Sequence, residues 1–139
     1  MAFCSTRKTV QPEAFRKEGY YIAGWNKDET KAAKGTIQYK YNAVKNAGLN
    51  TTLYAVWKPV TYKVIFHINN GGTDKTKTQT LTYDKAAKLT ANSFKWSKHT
   101  FLGWSTGRDS TEVAHVNKES VLNLASVLNE EVHLYAVWS

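Results

Sequence analysis

The chain has 139 residues, of which 42% are hydrophobic and 13% aromatic, and its formal net charge is +8. That share of apolar and aromatic residues supports a packed core and excludes a disordered chain. The abundance of Tyr, Trp and Thr points to sheet. A single cysteine, Cys4, excludes an internal disulfide staple. The sequence contains neither a signal peptide nor a long apolar run, so no membrane span is expected within it.

The charge is uneven. Residues 1–58 hold ten Lys/Arg against four Asp/Glu, and residues 59–139 hold nine against seven. Lys27, Lys31, Lys34, Lys40 and Lys45 are spaced singly, which reads as a solvated surface and not as a nucleic-acid patch.

Along the first part of the chain, Tyr20-Tyr21-Ile22-Ala23-Gly24-Trp25 and Leu53-Tyr54-Ala55-Val56-Trp57 read as strands. Both return later. His99-Thr100-Phe101-Leu102-Gly103-Trp104 repeats the first pattern, and Leu134-Tyr135-Ala136-Val137-Trp138 repeats the second letter for letter. Phe15 and Phe94 match as well, so the chain is two copies of one module. Residues 1–58 form the first copy and 59–139 the second, with Lys58-Pro59-Val60-Thr61 as a short, proline-pinned junction. The same offset sets Cys4 against Tyr83, so the first copy is expected to lack its opening hairpin.

The second copy predicts a strand over Tyr62 to Asn69, apolar on alternate residues, and then a turn at Asn70-Gly71-Gly72. A returning strand is expected over Gln79 to Tyr83 and a third over Thr100 to Trp104, with a loop from Ser105 to Ser110. Val121, Leu124, Ala125 and Leu128 fall on one helical stripe behind a Ser120 cap, which predicts a helix. Val132 to Trp138 is apolar on both faces, as an interior strand should be.

Phe66-His67-Ile68-Asn69-Asn70-Gly71-Gly72, Leu89-Thr90-Ala91-Asn92, Phe101-Leu102-Gly103-Trp104 and the closing Leu134–Trp138 together resemble the Listeria-Bacteroides repeat, also called the internalin B-repeat. The resemblance covers nearly all of 59–139 and the later part of the first copy. It implies an α+β fold of two tandem β-grasp-like modules, each a small mixed sheet on one helix, the first without its N-terminal hairpin. It also implies an extracellular or cell-surface location within a larger bacterial protein. In a β-grasp the final strand pairs with the first, so Leu53, Tyr54, Ala55, Val56 and Trp57 are expected to form an open edge in the first copy. The chain's own N-terminus, a second chain or the second copy could cover that edge. The short N-terminal segment favours a strand from a second chain, and thus self-association.

No catalytic constellation is legible. His67, His99, His115 and His133 are far apart in sequence and make no metal-type pair, and Glu130-Glu131 points to opposite faces of a strand. No phosphate loop, nucleophile elbow or dinucleotide fingerprint is present, so neither a cofactor nor a metal is expected. Trp25, Trp57, Trp104 and Trp138 recur and read as structural. Trp96 has no such counterpart and stands near Lys95 and Lys98, which makes these three a candidate partner contact. Two functions follow. The first is a non-catalytic surface repeat acting as a spacer or a protein–protein adhesion module, its partner a protein or glycan on a host or neighbouring cell. The second is a glycan or polyanion binder that uses the dispersed lysines and Trp96.

Overall fold

A computed structural model describes residues 3–5 (backbone only), 16–43, 48 and 51–139. The chain divides into two compact units, Met1–Val60 and Thr61–Ser139. Among the described residues it is mostly β, with three small sheets and one short helix.

The second unit opens with β5 (Thr61–His67) and β6 (Thr76–Thr82), an antiparallel hairpin. Its closing strand, β10 (Glu131–Trp138), runs parallel to β5 and antiparallel to β8 (Phe101–Ser105). The order β6-β5-β10-β8 puts the closing strand inside a mixed sheet. A second, two-stranded sheet joins β7 (Ala87–Lys88) to β9 (Ser120–Val121). Alternation sends Tyr62, Val64 and Phe66 of β5, with Leu134 and Ala136 of β10, into one core together with Leu81, Leu89 and Trp104. The opposite face of the same strands carries Lys63, Ile65, His67, Glu131, His133 and Tyr135.

The helix expected over Val121 to Leu128 does not form. Val121 lies in β9, and Asn123 adopts a left-handed φ of 55°. The Asn123 side chain accepts from the Asp84 backbone N–H at 2.6 Å and donates to the Asp84 carboxylate at 2.9 Å. Asn tolerates the left-handed conformation because its short polar side chain can bond locally, and one such residue ends a helix. Ser126, Val127 and Asn129 add poor helix propensity to the same stretch. Only Val121 and Ala125 of the stripe are buried, and Leu128 is exposed. A coil therefore covers the core where the β-grasp expectation puts a helix.

The first unit forms one sheet in the order β1-β4-β2-β3, from β1 (Phe3–Ser5), β2 (Tyr20–Asn26), β3 (Tyr39–Lys40) and β4 (Thr52–Pro59). All its pairings are antiparallel, so a mixed sheet is not what the described residues of this unit make. Among the described residues its core gathers Trp25, Leu53 and Ala55, flanked by Ile22, Tyr39 and Trp57. The one helix, α1 (Glu29–Ala33), falls where the sequence predicted none. Asp28 caps it by accepting from the Lys31 N–H at 3.1 Å, and Gly35 at φ 88° follows its end. The counterpart of the second unit's 121–128 coil lies largely outside the described residues.

The repeated Gly-Trp has one cause in both units. A Cβ on Gly24 would stand 2.5 Å from Ile37 Cγ2 and 2.7 Å from the Tyr39 carbonyl oxygen. On Gly103 it would stand 2.5 Å from Val113 Cγ1 and 3.0 Å from the His115 carbonyl oxygen. The following segment runs against the strand there and bonds the Trp backbone: Gln38 N–H donates to Trp25 O at 2.9 Å, and Ala114 N–H to Trp104 O at 2.8 Å. The two glycines thus admit the same close approach of chain.

Candidate functional site

The three residues read as a partner contact lie in the segment before β8. Lys95 and Lys98 are exposed, and Lys98 holds a left-handed φ of 68°. Trp96 is half-buried. Its ring stacks on His99 at 3.6 Å between centroids and 11° between planes, and Trp138 meets it at right angles at 5.8 Å. His99 is itself held by a bond from Nδ1 to the Ser139 carbonyl at 2.8 Å. The indole is thereby tied into the aromatic group formed by Trp138, Phe101 and Trp104, which leaves less ring face open than an isolated surface tryptophan offers.

The expected open edge is covered in part, by the first of the three routes. Phe3–Ser5 of the same chain pairs with Thr52, Leu53 and Tyr54. On the other side β2 pairs with Tyr54, Ala55, Val56 and Trp57. Tyr54 is therefore flanked by a strand on each side, and Leu53 by β1 alone. Beside Ala55–Trp57 no described strand follows β1. Over that part of the unit Arg16, Lys17, Tyr20, Ala32, Ala55 and Trp57 line a cleft of about 560 Å³, with Lys17 Nζ 4.1 Å from the Tyr20 ring centroid.

The structure brings together two histidines that the sequence set far apart. His67 ends β5 and His133 lies on the parallel β10, and their facing nitrogens, His67 Nε2 and His133 Nδ1, are 2.8 Å apart. Each ring has a carboxylate at its far nitrogen. His67 Nδ1 donates to Asp74 Oδ2 at 2.9 Å, and His133 Nε2 is 3.5 Å from Glu131 Oε1. Tyr135 stacks on His67 at 4.5 Å, and Arg108 sits 4.7 Å over Tyr135 and 3.4 Å from Asp74. Hydrogen bonding to His67 holds the Asp74 carboxyl below its usual range, and Arg108 adds to this. The line Asp74–His67–His133–Glu131 lies on the outer face of the sheet, with no nucleophile in hydrogen-bond reach among the contacts of its described residues. Among the described residues no group of three or more His, Cys, Asp or Glu could hold a metal ion. A further histidine–carboxylate contact, His115 Nδ1 to Glu119 Oε2 at 2.6 Å, is local, and the bond from His115 with that from Val116 N–H lowers the Glu119 pKa.

The turn motif after β5 also has a clear task. Asn69, at φ 51°, donates from its side-chain amide to the carbonyls of Arg108 at 2.9 Å and Ala136 at 3.0 Å. Trp138 Nε1 donates to the Ile68 carbonyl at 2.8 Å. The motif and the closing pentapeptide thus fasten to each other.

Two small β units that share a Gly-Trp strand and a Leu-Tyr-Ala-Val-Trp strand define a tandem β repeat. Residues 3–56 and 62–137 match the family model described as the Listeria-Bacteroides repeat domain, and the chain belongs to that family. The family is typical of bacterial surface proteins and generally non-catalytic, and no catalytic family was identified. No curated protein and no solved structure matches the chain.

Proposed function

We propose that this chain is a spacer segment of a bacterial surface protein, working outside the cell and without catalysis. The reading rests on the connection between the two units. One residue, Val60, separates β4 from β5, its side chain is buried, and its N–H donates to the Gly19 carbonyl at 2.8 Å. A link of one residue contains no flexible Gly/Ser run, which suits a spacer. The sheet order β6-β5-β10-β8, with a parallel central pair, supports a β-grasp variant in which coil replaces the helix.

Heparin chromatography tests this against the glycan or polyanion reading, because polyanion binding weakens steeply with salt. A spacer with dispersed lysines elutes below physiological salt, and Lys95→Ala with Lys98→Ala changes that little. Retention well above physiological salt, lost in the double variant, would favour the binder.

A further inference from the structure

The line Asp74–His67–His133–Glu131 has a hydrogen count that makes it sensitive to acid. A carboxylate oxygen only accepts, so Asp74 fixes a hydrogen on His67 Nδ1. The 2.8 Å contact between His67 Nε2 and His133 Nδ1 requires a hydrogen on one nitrogen and a lone pair on the other. The two rings therefore keep the contact with two hydrogens or with three, the third shared toward Glu131. With four, two N–H groups and two positive charges face each other, and the His67 side chain is only 9% exposed. The spacing is that of a hydrogen bond: two imidazole nitrogens on one zinc ion would stand about 3.3 Å apart.

We propose that His67 and His133 form an acid-released latch, which fastens the β5–β6 turn and the Arg108 loop to the sheet and opens when both rings are protonated. The latch joins three elements. Asp74 comes from the turn, Arg108 from the loop after β8, and Glu131, His133 and Tyr135 from β10. On β5 itself Lys63 shares the face, opposite Glu131 in register. The facing residues of β6 are Thr76 and Thr78, which do not titrate. With two hydrogens on the two rings, two carboxylates face one arginine, one lysine and uncharged rings. After double protonation the same carboxylates face four positive charges, and the central contact is lost. Asn69 and Trp138 anchor the turn independently of the histidines, so opening loosens the turn without unfolding the unit.

The test is the thermal midpoint of the full chain followed from about pH 7.5 to about pH 4.5, through and below the usual histidine range. In His133→Asn the amide nitrogen replaces Nδ1 as donor to His67 and cannot gain a proton. The latch predicts a fall in Tm that is larger by roughly 5 °C in the unsubstituted chain than in His133→Asn. Equal falls in both chains, or a fall in neither, would overturn it. A measurement on the unsubstituted chain covers the case in which the variant does not fold: NMR contacts between the His67 and His133 ring protons should vanish over the same pH interval. Their persistence would overturn the latch.

Discussion

Gly103 and Val113 are packed so closely that a methyl group on the glycine would stand 2.5 Å from Val113 Cγ1. Gly103→Ala should destabilise the second unit by roughly 1–3 kcal/mol, the usual cost of overpacking. Truncating the obstacle in Gly103→Ala/Val113→Ala should recover part of the loss, because a side chain stands closest. Gly24→Ala in the first unit should resist such rescue by Ile37→Ala, since the Tyr39 carbonyl at 2.7 Å is backbone. Urea unfolding of the four variants checks this.

Asn69→Ala should cost more than Asn69→Gly. Both lose the amide bonds to the Arg108 and Ala136 carbonyls, but alanine also meets the left-handed φ of 51°. We expect about 1–3 kcal/mol for alanine, with glycine roughly 1 kcal/mol milder. Chemical denaturation measures the difference.

Much of this was legible in the sequence, and the misses have physical reasons. Alternation at Tyr62–Ile68 and the repeated pentapeptide located β5, β4 and β10, because a strand's period of two leaves a direct mark. The Val121–Leu128 stripe also has a helical period, but the Asn123–Asp84 bonds are a tertiary contact that no local pattern contains. Helix α1 did have a readable signal, Asp28 as cap, paired alanines and Gly35 as stop, in a stretch too short for periodicity to register. The His67–His133 pair needed the register of two strands 66 positions apart. The β-grasp rule that first and last strands pair makes the two strands neighbours but does not fix their register. Of the candidate contacts, Lys95 and Lys98 are exposed as a site would require, while Trp96 is stacked on His99.

Acid should destabilise the second unit in a separate window below the latch. The Asp74 and Glu119 pKa values are lower in the folded chain than the ordinary 3.8 and 4.5. A carboxylate with a depressed folded pKa adds stability above its unfolded pKa, and that stability fades as pH falls through the folded value. Glu119→Gln should flatten the loss of Tm below about pH 4, whereas the stability that Asp74 draws from His67 should already be lost as the latch opens. An unchanged slope in Glu119→Gln would contradict the assignment.

Leu134→Ala should cost the second unit about 2–5 kcal/mol, the range for emptying a buried leucine site. Leu134 is fully buried in the larger core, and its counterpart Leu53 is fully buried with Trp25 and Ala55 among the described residues of the first unit. Each substitution should move the unfolding of its own unit and leave the other in place. Amide exchange resolved by residue reads both units at once.

The spacer account is tested most directly by the spread of distances between the two units. Spin labels on cysteines placed at the exposed Lys34 and Lys95, in a chain carrying Cys4→Ser, report the distance between the units by pulsed dipolar spectroscopy. The account predicts a single narrow distribution, which a Gly-Ser insertion between Val60 and Thr61 broadens. A distribution that is already broad without the insertion, and unchanged by it, would contradict the spacer.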